Sequence, residues 1–192
     1  MMIHTRIPAQ RGFTLLEVLV AMVVLSLGAM GVMGLVLHAQ QANEQALQRG
    51  RATLLVNDML ERLRANTTRE AMSVYNVGES AHAPIGGQQQ QRGGDCRQAL
   101  CDSQALARFD LADWEQQIMQ AQGEHHRLDG LPQAHACITV MPRAQRFDVT
   151  VTLAWRGTGQ GGSSENTPCA SDDITSARQS VRASSRYHPV RG

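Results

Sequence analysis

The chain has no lysine. All 18 of its basic residues are arginine, set against 17 acidic ones for a formal charge of +1. A balance this close gives no basic stripe, so on charge alone nucleic acid is not an expected partner. The missing lysine reads as coding bias before it reads as function. Aromatic residues make up only 4% of the chain, which excludes a stacking platform for single-stranded nucleic acid. Proline is absent between Pro8 and Pro84, so nothing in that interval forces a helix to break. No nucleophile–base pair stands out, and neither an enzyme nor a cofactor is expected.

What is present is unevenly placed. Val18 to Leu37 holds 20 residues, of which sixteen are Val, Leu, Met or Ala, three are Gly and one is Ser26. At about 1.5 Å per residue, such a helix is about 30 Å long and matches a bilayer's hydrocarbon core. A buried core helix is the rival reading, but it would show charge on some face, and this run shows none. Met1 to Gly12 carries Arg6 and Arg11 and no acid. Positive residues stay cytoplasmic, so the N-terminus is expected inside and residues after about 40 outside. A cleaved secretory signal, ending near Leu37-His38-Ala39, is the next alternative. The apolar run exceeds the usual h-region of about 7–15 residues, and Glu17 at its start is foreign to such signals.

Glu17 is the odd residue. A carboxylate at the edge of a membrane helix costs up to a few kcal/mol unless it has a partner. It can also simply snorkel at the interface. Cutting after Gly12 would create an α-amine on Phe13, four positions away. That amine could neutralise Glu17 within one helix, or Glu17 of a neighbouring subunit, as an assembly signal in an apolar bundle.

The segment Gly12-Phe13-Thr14-Leu15-Leu16-Glu17-Val18-Leu19-Val20-Ala21 resembles the processing site of type IV prepilins and type II secretion pseudopilins. Basic leader, Gly, aromatic residue, Thr, Leu, Glu and long apolar helix all match. The resemblance implies cleavage between Gly12 and Phe13 by a membrane prepilin peptidase. It also implies N-methylation of Phe13 by the same enzyme and a role for Glu17 in docking into the fibre. Glu44 to Asn66 continues the helix with Val56, Met59, Leu60 and Leu63 on one apolar face. Asp58 and Arg62 stand four apart on its expected wet side. The stretch from Ser26 to Asn66 resembles the PilV-type minor pilins. Secretion pseudopilins of the I type are the alternative, and a signal-anchored periplasmic binding module is a second.

The resemblance therefore implies an α+β, type IV pilin-like fold: a leader (1–12), a long helix (13–66) and a periplasmic head (67–192). Within the helix, 13–37 would lie in membrane or fibre core and 38–66 would be the amphipathic half. Implied partners are the peptidase, other minor pilins, the major pilin, a tip adhesin and, before assembly, the inner membrane. Gly28, Gly31 and Gly34 read either as a close-packing face or as a weak point in the helix.

In the head, Asp102 or Ser103 is expected to cap a helix running to about Gln122, with an interruption near Asp110. Phe147, Val149, Val151, Leu153 and Trp155 alternate with Asp148, Thr150, Thr152 and Ala154, the period of a strand with one buried face. Ala136–Met141 precedes it across a turn at 142–145, and Ser180–Tyr187 follows, for an antiparallel sheet of about three or four strands. Cys96, Cys101, Cys137 and Cys169 allow three pairings. Proximity favours Cys96 with Cys101, leaving Cys137 for Cys169; free thiols remain open. A zinc site drawing on His125, His126 or His135 fits no compact ligand spacing, so no metal is expected. His125-His126 reads as a solvated turn. Gly157 to Gly162 matches G-x-G-x-x-G, but no helix follows to hold a pyrophosphate, so it reads as a loop. Asn66-Thr67-Thr68 matches a glycosylation sequon, a pattern that is common by chance.

Overall fold

The computed structural model describes residues 12–78, 84–86, 94–123, 130–157, 169 and 178–190. The elements, in order, are α1 (Leu15–Ala65), α2 (Arg69–Tyr75), α3 (Ser103–Gly123), β1 (His135–Pro142), β2 (Phe147–Arg156) and β3 (Arg178–Tyr187). The class is α+β: a long N-terminal helix followed by a three-stranded antiparallel sheet ordered β1-β2-β3. The leader lies outside the described residues, apart from Gly12. So do His125, His126, residues 158–162 and most of the glutamine-rich stretch 86–94.

The chain divides into two compact units, Met1–Gln40 and Gln41–Gly192. In the first, every described side chain is exposed. Its helix is long and apolar enough to cross a membrane by length and composition. A Cβ built on Gly28, Gly31 or Gly34 meets nothing within 4 Å, so no contact inside the chain calls for these glycines.

The second unit is built around the C-terminal part of α1. Ala52, Leu55, Val56, Met59 and Leu63 are buried, and Leu60 packs at their margin. Period-3.6 spacing puts these side chains on one helix face, where they meet the sheet and α3. β2 supplies Phe147, Val149, Val151, Leu153 and Trp155 to this core. In register beside them, β1 supplies Ala136, Ile138 and Val140, and β3 supplies Val181, Ala183 and Tyr187. From α3 come Ala107, Leu111, Trp114, Ile118 and Ala121.

Polar atoms stitch the same surfaces. The Trp114 indole donates to the Leu55 carbonyl at 2.9 Å. The Trp155 indole donates to Gln48 Oε1 at 3.2 Å, and the Tyr187 hydroxyl to the Leu60 carbonyl at 2.8 Å. Each satisfies a polar tip that burial would otherwise leave unpaired. α2 was not foreseen from sequence. Thr68 caps it, accepting from the Ala71 amide at 3.2 Å, so the threonine read as part of a sequon serves as a helix start. Asp102 caps α3 in the same way, accepting from the Ala105 amide at 2.7 Å.

Candidate functional site

Gly12, Phe13 and Thr14 precede the first turn of α1. The Glu17 amide donates to Thr14 Oγ1 at 3.3 Å and to the Thr14 carbonyl at 3.1 Å. Thr14 is therefore the N-cap and Glu17 stands at the third helical position, the spacing of a capping box. A carboxylate there also meets the positive end of the helix dipole. Phe13 is 82% exposed. A Cβ on Gly12 would meet nothing within 4 Å, so packing inside the chain places no demand for glycine at that position. Sequence reading weighed Glu17 only as a charge and missed Thr14 as its cap, although the T-x-x-E spacing was available.

In the second unit the four cysteines form two disulfides, Cys96–Cys101 and Cys137–Cys169, with Cα–Cα distances of 5.6 and 5.5 Å. All four sulfurs are engaged, so none remains as a free thiol or zinc ligand. Among the described residues no group of three or more His, Cys, Asp or Glu is placed to hold a metal ion. Cys137 and Cys169 are both 1% exposed, and their bond lies on the side of the sheet away from α1, beside Thr152. Gly78 passes close by with φ +97°. A Cβ there would stand 2.5 Å from Cys137 Sγ, so both its backbone and its neighbour require glycine. Cys96–Cys101 instead closes a surface loop ahead of α3.

Arg62 departs from the sequence reading. Its guanidinium does bond Asp58, at 2.8 Å, but this side of α1 is not wet. It is covered by α3, where Arg62 also reaches Asp113 at 2.7 Å and Asp110 at 3.4 Å. Asp110 does not interrupt α3. Its other oxygen accepts from the Tyr75 hydroxyl of α2 at 2.5 Å, which makes a buried carboxylate tolerable in a helix interior. Burial raises the Asp110 pKa, although Tyr75 and Arg62 pull against it. Burial also acts to raise that of Asp113, but the hydrogen bond and charge of Arg62, with Gln117 and Arg97, more than offset it, and the net direction is down. Burial and Asp110 together push the Tyr75 phenol far up. The cluster ties α1, α2 and α3 together.

Two family models match adjoining stretches of this chain. Residues 7–33 match the prokaryotic N-terminal methylation motif, and residues 34–112 match type IV pilin Tt1218. Over residues 34–112 the chain is similar to the type IV pilin family. Its members are structural subunits rather than enzymes. The sheet, β1 to β3, lies beyond the matched residues. No curated protein and no solved structure matches the chain.

Proposed function

We propose that this protein is a pilin, a PilV-type minor subunit of a type IV pilus, made as an inner-membrane precursor. Its N-terminus would lie in the cytoplasm and its head in the periplasm. Residues 1–12 form the leader, 13–66 the helix and 67–192 the head. Prepilin peptidase cuts between Gly12 and Phe13 and methylates the new Phe13 amine. Glu17 then guides docking into the growing fibre, where the protein joins other minor pilins in priming assembly and presenting tip components.

One observation carries this reading: a capped helix opens on an exposed Gly12-Phe13 junction, and every side chain of its apolar run from Val18 to Leu37 is exposed among the described residues. Uncovered apolar surface on this scale demands lipid or neighbouring subunits. The glycine that no internal contact requires is explained by an outside enzyme that reads it.

N-terminal mass analysis of the membrane-extracted protein tests the proposal. A mature chain beginning at methylated Phe13 is expected, and Gly12→Val should keep Met1. A wild-type chain that also keeps Met1 would make this a plain signal anchor. Deletion of the gene should reduce surface pili. Loss of secreted proteins with normal piliation would identify a secretion pseudopilin instead.

A further inference from the structure

Strand β3 is ten residues long, and among the described residues it pairs only with β2. Its other edge carries backbone donors and acceptors without a described strand beside them. Long free edges are usually shortened, bulged or broken by proline. This one has no proline within it and keeps a one-to-one register with β2 from Arg178 to Tyr187.

The core stops short at this edge. Leu153 and Val151 of β2 are fully buried, but their partners Val181 and Ala183 on β3 are only half-buried. Beside the start of β3 a groove of about 410 Å³ separates the strand from α1, lined by Ala42, Gln45, Ala46 and Arg49 on the helix and by Arg178, Gln179 and Ser180 on the strand.

Charge says what would fit. On the face of β3 away from the core, Arg182 and Arg186 stand four residues apart, both exposed. At about 3.4 Å per residue they lie about 13 Å apart along the strand. Arg182 donates to Thr152 Oγ1 at 3.3 Å, which sets its stem against the sheet. Asp148, opposite Arg186, already accepts from Arg143 at 3.1 Å and from Arg146 at 3.0 Å. It is the only acid on this face of the three strands, against four strand arginines.

We propose that the edge of β3 with no described strand beside it receives an extended acidic segment of another protein as a fourth strand. Backbone pairing gives the affinity, and pockets at alternate positions give the selection, as in strand addition generally. The incoming segment carries acids four residues apart, facing Arg182 and Arg186. Small apolar residues on its other face cover Val181 and Ala183. Like charge on this face disfavours a second copy of β3 in the same place.

The test uses full-length protein in detergent and two ten-residue peptides that alternate valine with polar residues. One carries two glutamates four apart, and the other carries lysines there. The glutamate peptide should bind at least tenfold tighter and slow amide exchange within Arg178–Tyr187. The double variant Arg182→Glu, Arg186→Glu should reverse the preference, and since both side chains are exposed, the exchange pattern of the core should not change. Equal binding of the two peptides, protection elsewhere in the chain, an unreversed preference, or self-association through β3 would each overturn the proposal.

Discussion

Arg62 of α1 holds Asp113 of α3 at 2.7 Å, across 51 residues of sequence. The same guanidinium bonds Asp58 and Asp110, so one cation serves three carboxylates. Arg62→Met keeps the apolar stem and removes the charge, leaving Asp110 to the Tyr75 hydroxyl and Asp113 to Arg97 and Gln117. A broken buried pair costs about 3–5 kcal/mol. Here the side chains keep 20%, 12% and 16% of their exposure, so a loss of about 2–4 kcal/mol is expected. Denaturant unfolding of the detergent-solubilised protein measures it. A change under about 0.5 kcal/mol, the size of an ordinary surface substitution, would show that the cluster does not hold the helices together.

The two carboxylates should give stability slopes of opposite sign. Asp113 has a folded pKa below its ordinary 3.8, so its contribution is present above that value and is lost as pH falls through the folded pKa. Asp110 has a folded pKa raised above 3.8, so its favourable contribution is present at low pH and lost as pH rises through the folded pKa. The advantage of wild type over Asp113→Asn should therefore shrink as pH drops below about 4. Wild type relative to Asp110→Asn should move the other way, gaining as pH falls through the raised folded pKa towards about 4. Unfolding midpoints of the three proteins across about pH 3–7 decide this, and parallel curves would refute the assignments.

Local patterns were legible, and distant partnerships were not. The alternation from Phe147 to Trp155 was enough to place β2 and its inward face. The apolar run to Leu37 and the stripe at Val56, Met59 and Leu63 were enough for α1. Asp58 and Arg62 were recognised as a pair because they are four apart. Periodicity cannot say what covers a helix, so the cover supplied by α3 was missed. Asp110 looked like an interruption because its hydroxyl partner, Tyr75, stands 35 residues away. α2 escaped because seven residues are too few for a period to emerge. At the Gly12-Phe13 junction the residues were all visible in sequence; the cap that joins Thr14 to Glu17 needed the backbone.

The two disulfides should differ in worth. Cys137 and Cys169 close 32 residues of chain, and Cys96 and Cys101 close 5. Chain-entropy arguments give about 4 kcal/mol for the longer loop and about 2 kcal/mol for the shorter. Burial reinforces the order, since serines at 137 and 169 would also bury hydroxyls. Thermal unfolding of the two double-serine variants should rank them accordingly. Gly78→Ala should act like a mild form of the Cys137 defect, because its methyl collides with Cys137 Sγ and its φ of +97° strains the backbone. If the Cys96/Cys101 variant proves the weaker protein, the surface loop holds more of the head than its exposed position indicates.

Glu17 has two separable jobs, completing a helix start and presenting a charge, and Thr14 tells them apart. Thr14→Val keeps the side-chain shape and removes the oxygen that accepts the Glu17 amide, at a cost of about 1 kcal/mol in helix-start stability. Glu17→Ala removes the charge and leaves that oxygen in place. If the carboxylate acts between subunits, Glu17→Ala should insert and be processed normally yet fall several-fold in sheared pili, with Thr14→Val close to wild type. If helix capping is what assembly needs, Thr14→Val should fall while Glu17→Ala, which keeps the capped amide, stays close to wild type. Immunoblots of membrane and sheared-fibre fractions, normalised to processed protein, read the difference. Wild-type fibre content for Glu17→Ala would remove the carboxylate from assembly altogether.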